Sequence, residues 1–589
     1  MVKYYLFKLV SKGRMRQLTV WFVVCVIIAA IISVIGNLLD LSWEQIIGTF
    51  LDPGTFGGDA GDAHPGFRLI VALLSIFFIS SLLVSVISNV FSNISESVRS
   101  GGVHYNFPDF ILIFGAGAQL KNILEEYKGR KTRVVVVSPT DPDIPGYRYT
   151  YYHGERDNEA DLMRCRVHKA GKIFILGESN EPNHDTKNLI CYGLVSQLAG
   201  KSKRPIKCYM TINDYSTAEI YQYSNMKTES VLDGDGKSMV MMVDVLNEYE
   251  FYAEQFLTGT DFLPVLKTND RQKAHIVILG SGNVAQSVAY TVAQLCHYPF
   301  LNGAPRKARI TILDPDAKKF FKLLKVSRPS LWDLSEYSIV SAGGETARHI
   351  PSRELLDIEW NFVEYEPFSD EGRDCLTRIS SDGEYASRII VCYENDSDRA
   401  IDTALHLPSA CFENSLVALY IESGSIIVDK ASTTGMYCNY ATFGPGSESV
   451  GQSVESRSIR GKRANFAYHK NESAKKGEII SFSEEVIDEL WYKQPESNKY
   501  SSIYTANAIP LRRKCFDLEG DPASSAEAEH LRWMMAELIM GFSPGEKRDK
   551  KKFIHNCIVP FDELSEEDKY KDMFLIKSIP FILGETEEC

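Results

Sequence analysis

The hydrophobic pattern of this chain changes period twice. Two long uncharged runs come first, at residues 17–39 and Leu69–Ser95. Each exceeds the 18 or so apolar residues that a helix needs to cross a hydrocarbon core. Lys3, Lys8, Lys12, Arg14 and Arg16 precede the first run with no acid among them, and Trp21 sits near its start. That charge bias places the N-terminus inside, and a second span returns the chain to the same side. The rival reading of the first run, a signal peptide, is disfavoured by its length, by the lack of a small-residue cleavage motif and by the second span. Between the runs, Ser42 and Gln45 have capping-box spacing, which predicts a short helix from Trp43 to about Phe50, stopped by Asp52, Pro53 and Gly54.

Beyond Arg99, Gly101 and Gly102 the apolar blocks shorten and alternate with helical stretches. FILIF (110–114), VVVVS (134–138), KIFIL (172–176) and KCYMTI (207–212) read as strands of one doubly wound sheet. HIVIL (275–279), ARITIL (308–313), RIIVCY (388–393) and LVALYI (416–421) repeat the pattern. Residues from about 424 to 470 are rich in Ser, Gly and Tyr and read as connector. An amphipathic helix follows at 478–491, and a distinct segment closes the chain at 523–583.

Each sheet opens on a glycine turn, which places helix amides where phosphates bind. In the first, Gly115 and Gly117 fit the fingerprint, but Leu120 replaces the third glycine and Ser138, not an acid, ends the second strand. In the second, Gly280, Gly282 and Ala285 give G-x-G-x-x-A, Asn283 opens the helix, and Asp314 stands where a ribose hydroxyl would be held. The second is the stronger nucleotide candidate, against the alternative of a turn kept for packing. Two nucleotide folds invite an oxidoreductase reading. Tyr127 and Lys131 have Y-x-x-x-K spacing, but they lie at the far end of a helix from the strand ends where substrate would meet them. With no HExxH, Walker lysine or Ser/His/Asp order, no catalytic assembly is indicated and the chain is not expected to be an enzyme.

Composition narrows the choice. The 589 residues are 44% hydrophobic and 24% charged, so any membrane part is a small fraction. A net charge of -13 and the lack of a basic patch with interleaved aromatics exclude a nucleic-acid binder. The 12 cysteines form no CxxC pair and no zinc-like cluster, which indicates reduced thiols and no structural metal.

From Asp40 to Phe67 the chain carries Asp40, Glu44, Asp52, Asp59 and Asp62 but no Lys or Arg. Repeated around an axis, these carboxylates would form rings that attract cations, helped by the negative end of the short helix. An ordinary acidic turn is the alternative. No TVGYG filter is present, so strong potassium selectivity is not indicated. A lone two-span hairpin would leave polar loop backbone in lipid, and several copies around one axis remove that difficulty, which predicts a homo-oligomer.

Two resemblances follow from these residues. IIGTFLDPGTFGGDAGDAHPGFRLIV, then NISESVRSGG and LIFGAGAQL, resembles the Castor/Pollux cation channels over about Ile46–Tyr127. That implies a pore helix, a filter region at Asp52, Pro53 and Gly54, an inner helix, and tandem regulator-of-conductance (RCK, TrkA-type) domains in a tetramer. The plant proteins have further membrane helices that this chain lacks. AEAEHLRWMMAELIMGF through VPFDELSEEDKYKD resembles the ryanodine-receptor repeat domain in His530, Trp533, Gly541, Pro560, Leu564 and Asp572, with Phe542 where bacterial versions often have Trp. It implies a nucleotide-derived signal, such as one made during phage infection. His530, Arg532, Trp533 and Arg548 are its candidate ligand residues, and Lys547–Lys552 is a place where an anion could be gripped.

The predicted organisation is a basic segment (1–17) and a two-helix pore domain (18–98) with spans 18–39 and 69–92 and a helix-and-filter loop at 42–66. Rossmann-like domains follow at 108–262 and 273–425, then a connector (426–520) and a small, mainly helical domain (521–583). The expected function is a two-pass, tetrameric, ligand-gated cation channel of the plasma (inner) membrane, with both termini cytoplasmic. Its expected partners are lipid, inorganic cations and a regulatory ligand, either a nucleotide (NAD-like or adenine) or calcium. A membrane-anchored nucleotide sensor without conductance and a membrane-bound NAD-dependent enzyme are the alternatives.

Overall fold

Parallel strands buried on both faces need apolar residues at every position rather than at alternate ones, and the strongest runs in the sequence meet that condition. Phe110–Phe114 (β1) and Val134–Ser138 (β2) are buried throughout. In the computed structural model they belong to a six-stranded, all-parallel sheet with Thr150–His153 (β3), Ala170–Ile175 (β4), Ile206–Thr211 (β5) and Met241–Leu246 (β6). The strand order is β3-β2-β1-β4-β5-β6, the order of a dinucleotide fold with its switch point between β1 and β4.

A second sheet uses Lys273–Leu279 (β7), Ala308–Leu313 (β8), Glu336–Val340 (β9), Thr346–His349 (β10), Ile358–Val363 (β11), Tyr385–Val391 (β12), Leu416–Tyr420 (β13) and Tyr440–Phe443 (β14). Its order, β10-β9-β11-β8-β7-β12-β13-β14, repeats the same plan from β11 to β14 and adds an antiparallel β9–β10 pair at one edge. Strand β14 falls where the sequence suggested connector. Its four residues, YATF, are too few for a periodic signal.

The described residues are 27–28, 30–53, 64–102, 107–179, 181–202, 204–218, 220–221, 241–422, 428, 435–447 and 454–587. They fall into two units, Met1–Val103 and His104–Cys589. In the first, helix Trp43–Leu51 matches the predicted short helix, and helix Pro65–Arg99 carries the second apolar run. Ile32, Leu41, Ile46 and Val71 form its small core. Among the described residues no helix is long and apolar enough to cross a membrane. The first expected span, 18–39, includes positions outside that set, and the second, 69–92, lies within helix Pro65–Arg99.

In the second unit, helix Asn283–Leu295 follows the second glycine turn. Its sequence, NVAQSVAYTVAQL, has no charge, and eleven of its residues are buried. Such a helix must be packed on every side. It lies against helix Glu248–Gly259 of the first copy and against helices Glu496–Cys515 and Pro522–Ile539 of the C-terminal part.

The region read as connector is corrected most by the structure. Val454–Lys475 and Glu496–Cys515 are helices that pack on one another, and Glu484–Tyr492 falls within the amphipathic helix expected at 478–491. Helix Val454–Lys475 buries Arg457, Lys462, Asn465 and Asn471 along with its apolar residues, which blurs its hydrophobic period. Buried Arg457 pairs with Glu254 (Nε–Oε2 2.5 Å) and Glu250 (3.4 Å) at the end of the first copy. Trp491 Nε1–H and the Tyr492 hydroxyl both donate to Asp244 on β6 (2.8 and 3.1 Å). These bonds fasten the C-terminal helices to the first sheet.

Candidate functional site

The two glycine turns are built alike. Gly115 has φ +93°, and a Cβ there would lie 2.1 Å from the Gly177 carbonyl oxygen. Gly280 has φ +127°, and a Cβ would lie 2.4 Å from the Cys392 carbonyl oxygen. In each copy, then, glycine is required where the turn passes the end of the fourth strand, β4 or β12. Close strand-to-turn approach accounts for both residues without a ligand.

An acid follows that strand end at the same offset in both copies. Glu178 is three residues beyond Ile175, the last residue of β4, and Glu394 three beyond Val391, the last of β12. The Ala116 N–H donates to Glu178 Oε2 (3.1 Å), and the Asn283 N–H donates to Glu394 Oε2 (3.1 Å). Asn283 Nδ2 and the Tyr249 hydroxyl donate to Glu394 Oε1 at 3.3 and 2.8 Å. Each turn therefore already holds an anion on amides of the kind that cradle phosphate. Asp314 is likewise engaged. Its Oδ1 accepts from the Ser281 hydroxyl (2.7 Å) and the Asp316 N–H (2.9 Å), so it braces the loop.

Both turns open on one cleft of about 820 Å³, lined by Gly117 and Glu178 from the first copy and by Asn283, Glu394 and Glu422 from the second. Glu181, Asp185, Asp214 and Glu248 add further carboxylates, against Lys121 and His184 as cationic side chains. Burial raises Glu248, Glu178 and Glu422 above the usual carboxylate range. A cleft of this charge repels a polyphosphate. The Tyr127–Lys131 spacing is incidental: the Tyr127 hydroxyl accepts from Lys172 Nζ (2.8 Å), away from the cleft.

A second cavity, of about 490 Å³, lies in the C-terminal part. Helix Val454–Lys475 supplies Asn465 and Tyr468, helix Glu496–Cys515 supplies Asn498, Ser501 and Ser502, and helix Pro522–Ile539 supplies His530, Trp533 and Glu537. His530, Trp533 and Glu537 share a helix face through their spacing of three and four. The His530 and Trp533 rings stack (5.6 Å, 18°), while His555 meets Trp533 edge-on (4.7 Å, 72°). Nε2–H of His530 donates to the Val559 carbonyl (2.8 Å), and its Nδ1 faces Asp572 (3.6 Å). Arg548, Lys550 and Lys571 bring positive charge to the wall. Lys550 donates to Asn498 Oδ1 (3.1 Å), and Lys571 pairs with Asp568 (2.9 Å).

The electrostatics of this cavity are unusual. Burial pushes the Glu537 carboxyl up to about 7, with Arg548 and Lys550 opposing the shift. Burial, then Arg548 and Lys550, lowers His555 to about 3, so it is neutral, and the Cys557 N–H donates to its Nδ1 (3.1 Å). The Asn465 side-chain oxygen, on a residue only 4% exposed, has no hydrogen-bond partner among the described residues.

The expected site residues divide accordingly. His530, Trp533 and Arg548 meet at this cavity. Arg532 does not: its guanidinium is buried against Glu529 (Nε to both oxygens, 3.0 Å) and Thr505 (3.0 Å), because one residue's rotation from Trp533 turns it toward helix Glu496–Cys515. Gly115, Gly117, Gly280, Gly282, Asn283 and Asp314 lie at the two self-occupied turns. Asp52 is exposed just past helix Trp43–Leu51, with Pro53 half-buried beside it. Gly54, Asp59 and Asp62 lie outside the described residues. Sequence reasoning missed Glu178, Glu394 and Asn465, and it placed Glu537 on the helical stripe of His530 and Trp533 without giving it a role at the site. Overlaying KIFILGE on RIIVCYE would have exposed the first two as one repeated position.

No family model matches the sequence, and no curated protein matches it. Solved structures it is similar to include the GsuK channel bound to NAD (13% identity, TM-score 0.38, 77% of this chain and 85% of that one). GsuK bound to ADP (13%, 0.34, 73% and 95%) and the GsuK RCK domain (13%, 0.32, 60% and 78%) are also similar.

Proposed function

We propose that this chain is a ligand-gated cation channel whose pore, built by several copies, is controlled by tandem RCK-like domains and a C-terminal sensor for a nucleotide-type ligand. The observation that carries the reading is the order of parts: a doubled β3-β2-β1-β4-β5-β6 plan follows directly in the chain on a helix whose residues Leu69–Ser95 are uncharged. Ile70, Leu73, Ile76, Phe77, Val84 and Phe91 on that helix are exposed. A soluble monomer rarely leaves so large an apolar face in water, and lipid or a second copy would cover it. The acidic stretch around Asp52 sits just before it and would face the ion path. On this reading both termini are cytoplasmic in the inner membrane and the protein turns over no substrate. A ligand gates such a pore only by binding its open and closed arrangements with different affinity.

The test is ion flux from liposomes holding the purified chain, with and without adenine nucleotides, NAD, cyclic nucleotides and calcium. Flux that responds to one of them, and that changes its cation preference in Asp52→Asn, supports the channel. Folded, oligomeric protein that passes no ion under any condition replaces it with an anchored sensor, and oxidation of reduced nicotinamide replaces it with an enzyme.

A further inference from the structure

Resting on the nucleotide-sensing reading, we infer that the ligand is a nucleoside phosphate bound in the C-terminal cavity between helices Val454–Lys475 and Pro522–Ile539, and not at either glycine turn. The turns are closed to phosphate by the chain itself. Glu178 and Glu394 already accept their amide hydrogens, and the shared cleft adds further carboxylates around them. A pyrophosphate entering there would have to displace a bound carboxylate and sit among like charges.

The C-terminal cavity offers the complementary chemistry. Its volume of about 490 Å³ falls in the ordinary range for small-molecule sites. Trp533 gives an aromatic surface with His530 already stacked on it, of the kind on which a base stacks. Arg548, which has no hydrogen bond or ion pair among the described residues, supplies the fork that suits a phosphate. Lys571 stands on the same wall, already paired with Asp568.

One buried acceptor points to what the base must present. The Asn465 side-chain oxygen has no hydrogen-bond partner among the described residues. A ligand that brings a ring or exocyclic N–H group would satisfy it, and an unmet buried acceptor is costly enough to select for one that does. A purine with N–H donors on its edge and a phosphate on its ribose meets all of these demands. Inorganic phosphate alone meets only the last.

The site also has a mechanical link. Helix Pro522–Ile539, which carries Trp533 and Glu537, packs on helix Asn283–Leu295, whose first turn holds Glu394. A ligand that shifts the first helix therefore acts on the second Rossmann copy.

The experiment is calorimetric titration of the full-length protein in detergent with ATP, GTP, NAD and inorganic pyrophosphate. The expected result is binding of at least one purine nucleotide, weakened at least tenfold in both Trp533→Ala and Arg548→Ala and little changed in Glu394→Gln, with pyrophosphate alone bound far more weakly. Arg548 is exposed, so its variant tests the site even if Trp533→Ala misfolds. Wild-type affinity in a folded Arg548→Ala protein, or pyrophosphate binding as tightly as the nucleotide, overturns the assignment. Nucleotide binding at this cavity without any flux would overturn the channel and leave the site standing. Nucleotide-dependent flux that survives Arg548→Ala would do the reverse.

Discussion

The Tyr249 hydroxyl, on the last helix of the first Rossmann copy, donates to Glu394 Oε1 at 2.8 Å, and Glu394 in turn caps the glycine turn of the second copy. One carboxylate thus joins the two nucleotide folds at the point where each would ordinarily meet its ligand. Its loss should be felt by both. Tyr249→Phe is expected to lower stability by about 1.5–3 kcal/mol, the range for hydrogen bonds to charged groups. In a Glu394→Gln background the same change should cost measurably less, because the two side chains act as a pair. Thermal unfolding of the four proteins of this cycle gives the coupling directly, and strictly additive losses would disprove it.

Removing the carboxylate outright has a different consequence. Glu394→Ala frees the Asn283 N–H and takes a negative charge from the cleft. Sulfate or pyrophosphate should then raise the melting temperature of the variant by several degrees more than that of the wild type. Equal responses would mean that Glu394 does not occupy an anion position.

Arg457 is buried between Glu250 and Glu254, and burial raises Glu250 to about 7 despite its presence. Arg457→Met leaves two carboxylates facing one another without a counter-ion. The expected loss is about 3–5 kcal/mol, as for other broken buried pairs. The companion triple change of Arg457→Met, Glu250→Gln and Glu254→Leu should recover much of it, which unfolding curves can show.

Glu537 should leave a signature in pH dependence. Its folded pKa, about 7, lies above the ordinary carboxylate value near 4.5, so between these two the folded chain binds more protons than the unfolded one. The stability contributed by its protonation is present below the unfolded value and is lost as pH rises toward 7, by an amount of order 3 kcal/mol for a shift of this size. Relative to Glu537→Gln, wild-type melting temperature should therefore fall from pH 5 to pH 7.5 and level off above it. A difference that grows toward low pH in the opposite sense, or none at all, would contradict the burial of a proton-holding carboxyl at the cavity wall.

Much of the two sheets is readable in the chain. FILIF and VVVVS coincide with β1 and β2 because interior parallel strands are apolar at every position. Edge strands were not readable in the same way. TYYH (β3) and YATF (β14) are only four residues long, and nothing in four residues separates them from loop. Helix Val454–Lys475 was lost for another reason: Arg457, Lys462, Asn465 and Asn471 are all buried on it, and a residue-by-residue hydropathy reading places such side chains in water. At the candidate sites, His530 and Trp533 were named through the resemblance, while Arg532, one position away, was indistinguishable from a ligand residue until its partner Glu529 was seen.

The sequence by itself determined the order of parts, the doubly wound class of both nucleotide folds and the places where their turns need glycine, because each follows from local backbone and hydrophobic constraints. Only the tertiary structure decided that these turns are filled by the chain's own Glu178 and Glu394, and that a stretch resembling a linker forms one wall of a cavity faced by Trp533. Both outcomes depend on side chains brought together from distant positions, Glu394 with Tyr249 and Asn283, and Asn465 with Trp533 and Arg548. Hydrogen bonds and charges of that kind have no period along the chain, and their partners are chosen only when the sheets and helices have packed.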